Sequence, residues 1–167
     1  MAMSAEPVQQ ACASGRWVTA YAAMAGEPGT GPLLEALIAA GAQVALPIVR
    51  GRGLAWGRYA GPESLAPSPR GIAEPTVEIA EDSDALAHLD PAVLLIPATA
   101  VGRDGSRLGQ GGGYYDRLLG GLPPRRSGGP WRIALVHDAE VMATVPHDDR
   151  DASMDMVITP TAIIVIG

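Results

Sequence analysis

Six short aliphatic runs that fail to alternate with polar residues constrain the fold more than any other feature. They are Trp17–Met24 (WVTAYAAM), Gln43–Val49 (QVALPIV), Ala92–Val101 (AVLLIPATAV), Arg132–Asp138 (RIALVHD), Met156–Pro160 (MVITP) and Ala162–Ile166 (AIIVI). A strand with one wet face alternates, whereas a strand covered on both faces does not. Between the first two runs, Pro32–Gly41 (PLLEALIAAG) has leucines at helical spacing, proline near its start and glycine at its end, the expected punctuation of a helix. Strand, helix, strand in that order predicts a βαβ unit and a parallel sheet. The expected fold is therefore α/β, a three-layer α/β/α arrangement around a mostly parallel central sheet. A chain of 167 residues suits a single domain spanning 1–167 and is short for two.

The remaining segments read as connections. Arg50–Pro75, rich in Gly, Pro and Arg, is expected to cross the top of the sheet as a long loop. The acidic run Glu78–Asp90 reads as a solvated helix or loop. Gly120–Pro130 reads as an exposed loop whose Arg125 and Arg126 either touch a phosphate or simply meet solvent.

Composition narrows the chemistry. Phenylalanine is absent, so the core must be aliphatic. The net charge of −6 argues against a nucleic-acid partner, because phosphate-backbone binding relies on excess Lys and Arg. All 12 basic residues are arginine, which excludes a Schiff-base lysine and a P-loop lysine. Cys12 is alone. That leaves no disulfide framework or cysteine zinc site, and the residue reads as a small buried apolar one. No apolar run approaches the roughly 20 residues of a membrane span, and no signal-peptide pattern is present. A cytoplasmic protein without a membrane partner, monomeric or weakly homo-oligomeric, is expected.

The most unusual stretch is Arg107–Arg117 (RLGQGGGYYDR). It lies between an expected strand and an expected helix, where α/β proteins bind anions. Glycines at 109, 111, 112 and 113 remove the Cβ atoms that would hold a polyphosphate away from backbone N–H groups. Asp116 then falls in the first helical turn. Beside a bound phosphate it needs a divalent cation between the two anions, and magnesium held by carboxylate and phosphate oxygens is the usual arrangement. The stretch matches neither G-x-G-x-x-G nor the Walker pattern. On the residues alone, an anion cradle and a plain loop both stay open.

RLGQGGGYYDR resembles the signature of the 5-formyltetrahydrofolate cyclo-ligase family. Other blocks match that family in the same order: Tyr21–Thr30 (YAAMAGEPGT), Ala45–Val49 (ALPIV), Arg70–Pro75 (RGIAEP), LLIPATAV before the glycine loop, and the closing VPHDDRDASMDMVITP with Pro146, Asp151 and Asp155. The resemblance implies an enzyme that uses ATP and Mg2+ to close 5-formyltetrahydrofolate into 5,10-methenyltetrahydrofolate. ADP and phosphate are released after the formyl oxygen has been phosphorylated.

Carried onto this chain, the resemblance assigns ATP to Arg107, Leu108, Gly109, Gln110, Gly111, Gly112, Gly113, Tyr114 and Tyr115. It makes Arg107 and Tyr114 catalytic, with Arg107 supplying positive charge. It gives the folate to Glu27, Trp56, Gly112, Gly113 and Tyr114, with Glu27 on the pterin and Tyr114 and Trp56 as an aromatic wall. Asp116 and Asp151 would hold magnesium. Each has a plainer reading beside it: a surface ion pair for Arg107, helix-dipole compensation for Asp116, a turn or cap for Asp151, a solvated loop carboxylate for Glu27, and core packing for Trp56.

Two departures stand out. Met1–Ser14 has no basic residue, where the family opens with a basic helix whose Lys and Arg contact the ATP phosphates. Either that start lies outside this chain or the ATP site lacks those charges. Val101 and Gly102 replace the family's Phe-Asp. The alternative to an active ligase is a weakened or non-catalytic relative that binds folate or nucleotide.

Overall fold

The computed structural model describes residues 1–148 and 151–167. Asp149 and Arg150 of the closing block lie outside the described residues. An eight-stranded sheet forms the centre. In spatial order it contains β13 (Ile163–Val165), β12 (Met156–Ile158), β10 (Trp131–Leu135), β7 (Val93–Pro97), β1 (Trp17–Thr19), β2 (Gln43–Arg50), β3 (Gly53–Tyr59) and β6 (Glu78–Ala80). The run from β12 through β2 is parallel, and β13, β3 and β6 join antiparallel to their neighbours. A small sheet of β11 (Val141–Met142), β8 (Ala100–Gly102) and β9 (Arg107–Leu108) and a hairpin of β4 (Leu65–Pro67) with β5 (Ala73–Pro75) complete it.

Successive strand residues feed opposite cores. Val93 and Leu95 of β7 pack with Val8 and Ala11 of α1 (Glu6–Ala13) and with Leu34 and Leu37 of α2 (Gly31–Ala39). Leu94 and Ile96 pack on the other side with Leu86 of α3 (Ser83–His88) and with Leu118 and Leu119 of α4 (Tyr114–Gly120). This two-sided burial is why the strands do not alternate, and each fully buried leucine stabilises the fold by roughly 1.5–3 kcal/mol. Cys12 is buried in the first core. On the second side, buried Arg132 of β10 donates from Nη2 to the carbonyls of Leu119 and Leu122, at 3.2 and 2.8 Å. It thereby satisfies and anchors the C-terminal end of α4. Among the described residues no helix is long and apolar enough to cross a membrane.

Several expectations are corrected. The first run is a strand only over Trp17–Thr19. Beyond it Thr30 Oγ1 donates to the Tyr21 carbonyl at 2.7 Å and accepts from Ala23 N at 2.9 Å, folding the segment into a loop. The Ala92–Val101 run breaks in two after Pro97, which has no N–H to carry the ladder on. The acidic run holds an edge strand as well as a helix. Most consequentially, Arg50–Pro75 is not a crossing loop. It turns back at residues 51–52, Gly53–Tyr59 runs as β3 paired antiparallel with β2 over that strand's whole length, and the β4–β5 hairpin follows. The segment's glycines concealed β3. Gly57 is needed because the chain around β5 crosses it closely, with a Cβ there colliding with Pro75 Cβ and meeting the Val77 carbonyl oxygen at 2.8 Å.

Gly57→Ala should therefore cost about 1–3 kcal/mol by overpacking. Urea denaturation checks this, and an unchanged midpoint would contradict the close approach.

Candidate active site

The site lies where the parallel strands β1 and β7 end, and Arg107 sets its position. After Pro97 the chain makes the β8–β9 excursion and returns, with Thr99 N donating to the Leu108 carbonyl at 2.8 Å. This brings Arg107 back to the end of β7. Its Nη1 donates to the Pro97 carbonyl at 2.9 Å, and its Nη2 donates to Asp116 Oδ1 of α4 at 2.8 Å. The Arg107 side chain is 4% exposed and that of Asp116 is 49% exposed. A single buried guanidinium thus ties the sheet end, the start of the glycine loop and the first turn of α4.

The loop's glycines let guanidiniums approach its backbone. A Cβ at Gly109 would meet Arg107 Nη1 at 3.1 Å, and one at Gly113 would meet Arg117 Nη1 at 2.7 Å. Gly113, at φ +67°, also takes the left-handed backbone that starts α4, which other residues adopt at a cost. Arg117 donates from Nη2 to the Gly112 carbonyl at 2.8 Å. The cradle is lined with backbone and cations, as an anion site requires.

Opposite the loop, the segment after β1 presents Glu27. Its Oε2 accepts from Met24 N at 2.8 Å, and its Oε1 accepts from Gln110 Nε2 of the glycine loop at 2.9 Å. On another side Arg70, at the tip of the β4–β5 hairpin, donates from Nη1 to Tyr114 Oη at 2.9 Å. These walls enclose a cleft of about 290 Å³, at the low end for small-molecule sites. Its floor includes Tyr21, Pro47, Val49, Leu54 and Tyr115.

Three shielded polar atoms on cleft-lining residues have no hydrogen-bond partner among the described residues: Tyr21 Oη, Tyr115 Oη and Arg107 Nε. Leaving such a group unpaired costs about 1–3 kcal/mol, a cost that ligand sites commonly carry. Burial, reinforced by the nearby Glu27 carboxylate, raises the Tyr21 phenol well above its ordinary range. Burial also raises Tyr115, with Arg107 partly opposing. Both phenols stay protonated donors at neutral pH.

The structure brings Glu27, Arg107, Gln110, Gly112, Gly113, Tyr114 and Tyr115 to one cleft. Arg107 forms a buried ion pair, not a surface one. Asp116 is committed to Arg107 through one oxygen and is exposed, so it can still face a ligand. Asp151 forms a local turn, its Oδ2 accepting from Asp148 N at 2.8 Å. Leu108 and Gly111 are exposed at the loop.

Trp56 is a correction. It is fully buried on β3 in the core beside Leu86 and Leu94 and lies outside the cleft lining, so packing is its role. Sequence reasoning did not single out Tyr21, Arg70 and Arg117, which the structure places on or beside the cleft. All three lie inside matched blocks, which was the available signal.

Among the described residues no group of three or more His, Cys, Asp or Glu side chains could hold a metal. A magnesium ion carried largely by phosphate oxygens needs only one or two carboxylates, and exposed Asp116 beside the loop fits that requirement.

The family described as "5-formyltetrahydrofolate cyclo-ligase family" matches residues 4–160. The chain is 37% identical over 158 residues to a 5-formyltetrahydrofolate cyclo-ligase of Mycolicibacterium smegmatis, covering 91% of this chain and 77% of that one. It is 30% identical over 149 residues to the Escherichia coli K12 protein of the same name, covering 87% and 79%. The fold is similar to a solved Aquifex aeolicus 5,10-methenyltetrahydrofolate synthetase. The TM-score is 0.73 at 23% identity, covering 96% of this chain and 80% of the other.

The buried phenols predict a pH dependence. Unfolded tyrosines ionise near pH 10, while folded Tyr21 and Tyr115 keep their protons to higher pH. Their contribution to stability is therefore complete below about pH 10 and declines as pH rises beyond it. The double variant Tyr21→Phe, Tyr115→Phe should flatten this alkaline decline, read from denaturation midpoints across that range.

Proposed function

The chain belongs to the 5-formyltetrahydrofolate cyclo-ligase family and is a ligase, and we propose that it cyclises 5-formyltetrahydrofolate to 5,10-methenyltetrahydrofolate with ATP and Mg2+ in this cleft. The observation that carries the reading is the Gln110–Glu27 hydrogen bond. It joins segments 83 residues apart, one suited to an aminopyrimidine edge and the other to phosphates.

The formyl group is an amide, and its oxygen is a poor leaving group. Transfer of the γ-phosphoryl group of ATP to that oxygen releases ADP and makes it a good one. The neighbouring N10 then attacks the activated carbon, and the C–O bond breaks to release phosphate, which takes up the proton lost from N10. The protein contributes positioning and charge stabilisation. Glu27 takes the pterin's amino-pyrimidine edge, displacing Gln110. Arg107 and the loop N–H groups from Gly109 to Gly113 stabilise the negative charge on the transferred phosphoryl group. The hydroxyls of Tyr21 and Tyr115 gain partners in the bound substrates, while Tyr114 closes the cleft beside the formyl group. Magnesium held by Asp116 and Asp151 would neutralise phosphate charge. The apolar floor excludes water that would otherwise hydrolyse the phosphorylated intermediate.

The test follows the methenyl chromophore after mixing protein, 5-formyltetrahydrofolate, ATP and magnesium. Product that depends on ATP and magnesium is expected, and its absence would overturn the proposal. Asp116→Asn should lower the rate about a hundredfold or more with the fold retained by circular dichroism. An unchanged magnesium dependence would remove Asp116 from the metal site.

A further inference from the structure

Among the described residues, Arg70 is the cation lining the cleft that has no carboxylate partner. The ion pairs among the described residues are Arg16–Asp90, Arg50–Glu78 and Arg107–Asp116. The carboxylates lining the cleft are committed elsewhere, Glu27 to Met24 N and Gln110, and Glu74 to Val49 N at 3.0 Å. Arg70 is exposed at the cleft rim, and its charge meets only the neutral Tyr114 hydroxyl. The guanidinium lies 5.9 Å from the Tyr114 ring centroid, and that of Arg117 lies 5.2 Å from the same centroid. Arg117 in turn donates to the Arg52 and Gly112 carbonyls, at 2.7 and 2.8 Å. In a chain of net charge −6, two guanidiniums beside one tyrosine ring, bonded to neutral partners, concentrate positive charge near the rim.

We propose that Arg70 is a specificity-determining residue that binds a carboxylate of the substrate's glutamate tail, releasing the Tyr114 hydroxyl to do so. This rests on the folate reading above. With Glu27 holding the pterin, the aminobenzoyl ring lies over the apolar floor and the glutamate leaves past the exposed rim. A carboxylate is a stronger acceptor for a guanidinium than a phenol, because the bond becomes charge-assisted. The exchange is therefore favourable, and Arg117 adds attraction without leaving its backbone acceptors. The same exchange frees the β4–β5 hairpin from α4 only when the tail is in place.

Wild type, Arg70→Ala and Arg70→Lys are compared on 5-formyltetrahydrofolate, its triglutamate, and 5-formyltetrahydropteroate, which lacks the glutamate. For Arg70→Ala the KM for both glutamate-bearing substrates should rise about tenfold, with kcat little changed. The KM for the pteroate and for ATP should stay within about twofold, and Arg70→Lys should recover part of the loss. An equal KM rise on the pteroate would overturn the proposal in favour of a purely structural latch. A rise confined to ATP would overturn it in favour of a phosphate contact. Should wild type form no methenyl product at all, the activity reading fails separately. Dissociation constants of the same three pterins, measured by calorimetry, then decide the Arg70 proposal by the same pattern.

Discussion

The site depends on the buried guanidinium of Arg107. A charge 4% exposed at the side chain is tolerated only where hydrogen bonds and a counter-charge surround it. Here the Pro97 carbonyl and Asp116 supply them. Because those partners belong to β7 and α4, the same contacts fix where the glycine loop begins and where it ends. Arg132 holds the far end of α4, so the loop is suspended between two anchored points. A loop so glycine-rich would otherwise pay a large ordering entropy on every encounter with a ligand. Anchoring its ends reduces that cost while leaving its backbone N–H groups accessible.

Much of the fold was legible in the sequence because burial on both faces leaves a plain signature. Leu94 and Leu95 point to different cores, and both must be apolar. The βαβ unit was legible from the spacing of Leu33, Leu34 and Leu37 between two such runs. β3 was not. Gly53, Gly57 and three nearby arginines make it read as loop, and only its pairing with β2 and its cover by β5 show why those residues sit in a sheet. Trp56, which the resemblance placed on a substrate wall, packs in the core instead, the plainer of its two readings. The glycine loop was legible as an object. Its partners were not, since Pro97, Glu27 and Arg70 reach it through tertiary contacts that spacing does not encode. Asp151 was legible as a magnesium candidate through the resemblance alone, and in the structure it accepts from Asp148 N within its own block.

Two ligand regions that sequence blocks present separately become one cleft in the folded chain. Gln110 belongs to the loop suited to phosphate, yet it satisfies the carboxylate suited to a pterin. Arg70 belongs to a hairpin, yet it bonds the tyrosine that opens α4. In each case a charged group meets a neutral protein partner that a better-matched ligand group could replace. The unpaired hydroxyls of Tyr21 and Tyr115 tell the same story from the floor, as donors kept neutral by burial and held ready for an acceptor.

The most direct measurement follows the formyl oxygen itself. With 5-formyltetrahydrofolate carrying 18O in the formyl group, mass analysis of the released inorganic phosphate reports whether that oxygen was phosphorylated. One 18O atom should pass to phosphate for each methenyl product formed. Unlabelled phosphate accompanying methenyl product would contradict it.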